Sequence, residues 1–181
     1  MVNETFDYVK YLDVKKSIDD RSLNEVVWGH FSNWLLSRNK QDSTLRVLEI
    51  GAGIGTMIER LLEASLLQKC HYIVLEPETM FKEAALSRFK GWANKYGCTF
   101  KISSEGLWHI SNNELDIFIE WIEADANKID QLFGDKSFDL LLSHAVIDLL
   151  PVPTIMSIIL DKLKARGACY FSLNFSGNTE F

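Results

Sequence analysis

The sequence predicts an α/β fold, a parallel β-sheet covered by helices on both faces, and three observations carry that prediction. Short apolar runs at 47–50, 72–75, 117–122, 138–142 and 169–173 read as strands. Between them, apolar residues recur at three- and four-residue spacing, as in Met57, Ile58, Leu61, Leu62 and Leu66, or Phe81, Ala85, Phe89 and Trp92. Runs this uniformly apolar are buried on both faces, and their alternation with helical stripes is that of repeated β-α-β units. Third, alternately spaced glycines follow the first run directly, at Gly51, Gly53 and Gly55. The 181 residues suffice for one sizeable core and would make two domains cramped.

The chain opens with Phe6, Tyr8, Tyr11 and Leu12, followed by the charged run from Lys15 to Arg21. Leu23, Val26, Val27, Phe31, Trp34 and Leu35 then mark a helix with one buried stripe. Residues 1–38 are therefore expected to form a helical cover, joined by the polar linker 39–43 to a core at 45–181, the whole being one compact unit. Strand one ends at the glycines; strand two, at 72–75, is closed by Glu76 and Pro77. A helix after it ends at Tyr96-Gly97. Residues 98–114 alternate weakly, with turns at Ser103-Ser104 and Asn112-Asn113, and read as an excursion or an extra strand. Strand three emerges at Glu123-Ala124-Asp125, and strand four ends at Ser143-His144. Pro151 and Pro153 precede a helix predicted at 154–163, with Lys162, Lys164 and Arg166 placed favourably at its C-terminal end before Gly167. Strand five is predicted at 169–173.

Ligands of such sheets bind outside the carboxyl ends of the strands, where strand order reverses. That makes the tips at Gly51, Glu76, Asp125 and Ser143 neighbours in space. Glycine tolerates positive φ and lets a ligand approach the backbone, so this loop reads as a contact surface, with Glu49 acting from beneath it. Thr56 stands where a dinucleotide fingerprint requires its third glycine, and Gly-Lys-Ser/Thr of a phosphate-binding loop is absent. Glu76, at the end of strand two, is placed to accept from both ribose hydroxyls of a ligand lying across the tips. Separated carboxylates suit a cofactor without phosphates, because they would repel a pyrophosphate.

Glu49-Ile-Gly51-Ala52-Gly53-Ile-Gly55, the acid Glu76 ending strand two, and Ala124-Asp125-Ala126 after strand three resemble the class I S-adenosylmethionine-dependent methyltransferases over residues 45–175. The resemblance implies a Rossmann-like sheet, here lacking the usual C-terminal antiparallel strand pair, and S-adenosyl-L-methionine as cofactor. It implies that Glu49 and the Gly51–Gly55 loop, Ala52 included, face the methionine portion, and that Glu76 binds the ribose. Pro77 or Glu78 would lie by the adenine; Asp125 would accept from its amine, and Ala126 would offer a backbone N–H. Ser143 belongs to the same set of tips.

His144 and Asp148 are four apart, so a loop coiling directly into helix would let them face each other, His144 as general base and Asp148 fixing its tautomer. Members of the family acting on amino nitrogens of bases or amides commonly carry Asn/Asp-Pro-Pro-Tyr/Phe at this place. Ser143-His144-Ala145-Val146 departs from that pattern and leaves hydroxyl, carboxyl, amine or ring-carbon acceptors open. The N-terminal cover supplies further substrate candidates, Tyr11 and Arg21, by likeness to methyltransferases with N-terminal lid helices. Trp108 is the tryptophan least easily assigned to the core, and the sequence establishes no aromatic cage.

The net charge of -6 and pI near 5.2 carry no footprint for nucleic acid, which favours a small-molecule substrate. Cys70, Cys98 and Cys169 lack paired spacing and fit buried reduced thiols rather than disulfides or a metal site. No secretory leader or membrane-length run is present in the sequence, so a cytoplasmic location is expected. The exposed edge of strand five raises the expectation of a homodimer, and residues 174–181 are expected near the active-site mouth. The expected function is methyl transfer to a small molecule. The alternatives are a noncatalytic, methyltransferase-like cofactor-binding or assembly subunit and an NAD-dependent oxidoreductase, the latter disfavoured by Thr56.

Overall fold

The computed structural model describes residues 6–41 and 43–173. The chain runs α1 (Tyr8–Ser22), α2 (Glu25–Asn39), β1 (Leu45–Ile50), α3 (Thr56–Glu63), β2 (Lys69–Leu75), α4 (Thr79–Lys95), β3 (Thr99–Ile102), β4 (Trp108–Ser111) and β5 (Asp116–Ile122). It continues through α5 (Ile129–Leu132), β6 (Phe138–His144), α6 (Val152–Asp161) and β7 (Leu163–Ser172), with 3-10 turns at Ala126–Lys128 and Ile147–Leu149. The strands form one seven-stranded sheet in the order β3-β4-β5-β2-β1-β6-β7. β5, β2, β1, β6 and β7 pair in parallel, and these are the five strands the sequence predicts.

Strand alternation divides the core into two layers. Val47, Tyr72 and Val74 point with Phe31, Leu35, Met57, Leu61 and Phe89 to one face, covered by α2, α3 and α4. Leu48, Ile50, Ile73 and Leu75 point with Ile129, Ile155 and Ile159 to the other, covered by α5 and α6. The central strands β1, β2 and β6 are thus buried on both faces, as their apolar runs require, while β5 is buried on alternate residues only.

Four elements differ from the expectation. Residues 98–114 form an antiparallel hairpin, β3 with β4, that extends the sheet beyond β5 and makes it mixed. Its turn is built by Ser103, whose hydroxyl accepts from the backbone of Glu105 and Leu107. Trp108 lies in the core, 2% exposed, with its ring 5.4 Å from that of Trp121; its partners come from separate strands, which is why no local pattern marked it. The cover is two helices, capped by Asp7 and Asn24, not one. In α2 the buried residues are Phe31 and Leu35, whereas Val26 and Val27 are exposed at 69% and 51%. Finally, α6 ends at Asp161 and β7 begins at Leu163, before Gly167 instead of after it. A Cβ at Gly167 would lie 2.9 Å from the Asp139 carbonyl oxygen, so this glycine serves close strand packing and not a helix end. Lys164 accordingly pairs with Asp139 at 2.9 Å, and only Lys162 caps the helix, pairing with Asp130 and Asp135.

β7 is the last strand on its side of the sheet among the described residues. The expectation for residues 174–181 falls outside the described residues. No helix among the described residues is long and apolar enough to cross a membrane.

Candidate functional site

The parallel strands end together at the glycine loop. Gly51, Gly53 and Gly55 have φ of 69°, 53° and 77°, a region that side-chain-bearing residues avoid. A Cβ on Gly51 would come within 2.6 Å of the Val146 side chain, and one on Gly55 within 2.5 Å of the Phe89 ring. The loop is therefore pinned between the tip of β6 and α4. The Gly51 N–H donates across to the Leu75 carbonyl at the end of β2 at 2.9 Å, and the Gly53 N–H donates to Glu76 Oε2 at 2.9 Å.

Glu76 is 5% exposed and braces two tips at once, since its Oε1 accepts from the Glu78 amide at 3.2 Å. Burial pushes its pKa up, and the two amides pull it back. Beneath the loop, Glu49 is 1% exposed and accepts a hydrogen bond from the Tyr72 hydroxyl at 2.7 Å. Burial raises the Glu49 pKa to about 7 against the pull of Tyr72 and of Arg60. Arg60, on α3, is buried and donates through Nε to Asp20 of α1 at 2.5 Å.

Glu49, the glycine loop and Glu76 floor a cavity of about 700 Å³. Its walls are Glu49, Gly51–Ile54 and Glu76–Glu78 from the β1 and β2 tips, Met80 and Phe81 from α4, and His144–Val146 from β6. Its roof is α1, through Tyr8, Tyr11, Leu12, Lys15 and Asp19. Alpha1 has no buried residue of its own. It is tied down by ion pairs: Asp13 to Arg88, Lys16 to Glu63 at 3.2 Å and Asp20 to Arg60. Pairs of this partly exposed kind contribute roughly 0–1 kcal/mol each, so the roof is weakly held.

His144 has different partners from those expected. Ala145 takes φ of 58° and the next turn is 3-10, so the chain does not coil into α-helix after β6 and Asp148 is carried away from the ring. His144 Nδ1 instead meets the Ser172 hydroxyl of β7, and Nε2 lies 3.5 Å from Asp19 Oδ2 without a hydrogen bond. Burial, then Arg60, hold the imidazole below its usual pKa, with Asp19 pulling the other way. Asp148 keeps one buried oxygen without a partner.

Of the residues singled out from sequence, Glu49, Gly51, Ala52, Gly53, Glu76, Pro77, Tyr11 and His144 line one cavity. Gly55 packs under α4, and Ser143 is buried below the surface with an unpartnered hydroxyl. Asp125 stands at the β5 tip outside the cavity, capping the 3-10 turn through the Asn127 amide at 2.9 Å, with Ala126 buried behind it. Arg21 is exposed at the last turn of α1, where it does not reach the cleft. Sequence reasoning missed Tyr72 and Arg60, which hold Glu49 and Asp20, and within the N-terminal cover it chose Tyr11 and Arg21 for testing over Lys15 and Asp19, which line the cavity. The signals were an arginine on the otherwise apolar inner stripe of α3 and a Lys-Asp pair one helical turn apart on α1.

Residues 30–166 match the model of a family described as "putative S-adenosyl-L-methionine-dependent methyltransferase". No curated protein sequence matches this chain. Among solved structures, it is similar to a "putative S-adenosyl-L-methionine-dependent methyltransferase" of Methanococcus maripaludis, with a TM-score of 0.58 and 18% identity, over 97% of this chain and 68% of that one. It is also similar to a "putative caffeoyl-CoA O-methyltransferase" of Staphylococcus aureus, with 0.54 and 15% over 92% and 66% of the two chains. A third, the DszA carbon methyltransferase, gives 0.52 and 18% over 82% and 36%. The chain thus spans about two thirds or less of the length of these structures, and the likeness is one of fold.

Proposed function

The chain belongs to the class I S-adenosylmethionine-dependent methyltransferases, and from that premise we propose that it transfers a methyl group to a small-molecule acceptor held between the strand tips and α1. The observation that carries the proposal is the single cavity that joins the glycine loop and Glu76 at one end to the Tyr8, Tyr11 and Leu12 roof at the other. Its volume of about 700 Å³ lies within the range of small-molecule sites, about 300–1,000 Å³.

The residues present fit the cofactor. Glu76, with both oxygens already oriented by backbone amides, offers its remaining lone pairs to the ribose hydroxyls. The glycine loop presents backbone to the methionine portion, and Glu49 offers a carboxylate to its ammonium group. When bound, S-adenosylmethionine supplies a methyl group on an electrophilic sulfonium. The protein's share is to orient the acceptor and exclude water, which the α1 roof does by lying over the cleft. His144, at the cavity wall, is the candidate base for an acceptor that must lose a proton. Methyl acceptors that are already nucleophilic need no such help.

Calorimetry with S-adenosylhomocysteine and with NAD tests the cofactor, and transfer of labelled methyl from S-adenosylmethionine into a small-metabolite extract tests the reaction. The proposal expects S-adenosylhomocysteine to bind, NAD not to bind, and label to enter a small molecule. Binding of NAD alone, or label entering only macromolecules, would overturn it.

A further inference from the structure

Tyr72 is an expensive residue for its position. It is fully buried in the middle of β2, where a phenylalanine would fill the same volume without a hydroxyl to desolvate. In the register of β1 with β2, Tyr72 lies opposite Val47, and its hydroxyl reaches along the sheet face to Glu49 Oε2 at 2.7 Å. The diagonal step is within reach of a long side chain. The hydroxyl's single proton is thereby committed to one carboxylate oxygen. No other hydrogen bond engages Glu49 among the described residues, although its side chain lines the cavity. The charged and titratable groups facing Glu49 are Arg60 from α3 and Glu76 from the β2 tip, with Lys15 and Asp19 of α1 and His144 of β6 around the same cavity.

We propose that Tyr72 is the positioning residue of the cofactor's ammonium subsite, fixing one oxygen of Glu49 so that the other stays turned into the cleft to receive that cation. The inference rests on the methyltransferase reading. It has a consequence in pH, because Glu49 binds a cation only when ionised. Its pKa of about 7 makes cofactor affinity fall as pH drops through neutrality, by about tenfold from pH 8 to pH 6. Removing the tyrosine hydroxyl removes a group that favours the ionised form, so the fall moves to higher pH.

The test is calorimetry of S-adenosylhomocysteine between about pH 6 and pH 9 on the full chain, as wild type, Tyr72→Phe and Glu49→Gln, with circular dichroism to establish folding. Wild type weakens about tenfold on going from pH 8 to pH 6. Tyr72→Phe follows a curve displaced to higher pH that approaches wild type near pH 9, and Glu49→Gln is weak and flat. Should Tyr72→Phe fail to fold, Tyr72→Met, which also lacks the hydroxyl and fills the core with a flexible apolar chain, takes its place, with the same displacement expected and the same superimposable profile overturning the inference. A Tyr72→Phe profile superimposable on wild type overturns the inference while leaving the cofactor reading intact. Failure of wild type to bind S-adenosylhomocysteine at any pH overturns both.

Discussion

Removing the carboxylate of Glu76 separates its two roles, brace and ligand. In Glu76→Ala the amides of Gly53 and Glu78 lose acceptors at 2.9 and 3.2 Å. Hydrogen bonds to a charged group contribute about 1.5–3 kcal/mol each when buried. Here the vacated space opens onto the cleft, so water replaces the carboxylate and the cost to folding falls to about 1–2 kcal/mol in total. The ligand loses more, because two ribose hydroxyls lose a charged acceptor that no rigid group replaces. At about 1.5 kcal/mol per bond, the dissociation constant of S-adenosylhomocysteine rises about a hundredfold. Isothermal calorimetry reads the affinity, and a thermal melt followed by circular dichroism reads the fold. The melt should be cooperative and shifted down by several degrees. Unchanged affinity in a folded variant would refute the ribose assignment, whatever the melt shows.

Three further outcomes follow from the same geometry. Glu49, whose pKa is raised to about 7 in the fold from an ordinary 4.5, takes up a proton on folding between those values, so stability of the ligand-free protein falls as pH rises through that window, by about 3 kcal/mol in all. Denaturant unfolding at pH 5 and pH 8 should show this loss, and Glu49→Gln should abolish it; an equal slope in the variant would contradict the assignment. Gly51→Ala places a methyl within 2.6 Å of Val146 at φ of 69°, and should lower stability by about 1–3 kcal/mol and weaken S-adenosylhomocysteine, as melts and calorimetry on that variant would reveal. The α1 roof, held by ion pairs and no buried side chain, should be cleaved by trypsin faster in 1 M than in 0.05 M sodium chloride, at rates corrected for the protease's own salt response. Salt-independent cleavage within residues 8–22 would show that something other than charge holds it.

The centre of the sheet was legible because β1, β2 and β6 are buried on both faces. Val47 to Ile50 and Ile117 to Ile122 are mostly apolar runs, each interrupted by one glutamate and followed by a glycine or an acid, and such runs need no long-range information to be read. The hairpin at 99–111 was less so: β3 is mostly exposed, so its pattern is weak, and only the turn residues Ser103 and Asn112 signalled it. The glycine loop and Glu76 could be read from spacing because backbone conformation and strand-end position fix them locally. The partners of His144 could not. They are Asp19 and Ser172, contributed by α1 and β7, and the one local clue, Asp148 four residues on, fails because Ala145 leaves the helical region. Tyr72 and Arg60 were hidden for a similar reason. Each reads as part of a core stripe, and only the fold shows the polar end of that stripe meeting Glu49.

The most direct test of the cofactor site is a crystal structure of the chain grown with S-adenosylhomocysteine. The account predicts the ligand in the cleft under α1, with its methionine portion along Gly51–Gly53 above Glu49 and its ribose hydroxyls within hydrogen-bond distance of Glu76. A ligand seated elsewhere, or lying in the cleft with its ribose turned away from Glu76, would contradict it.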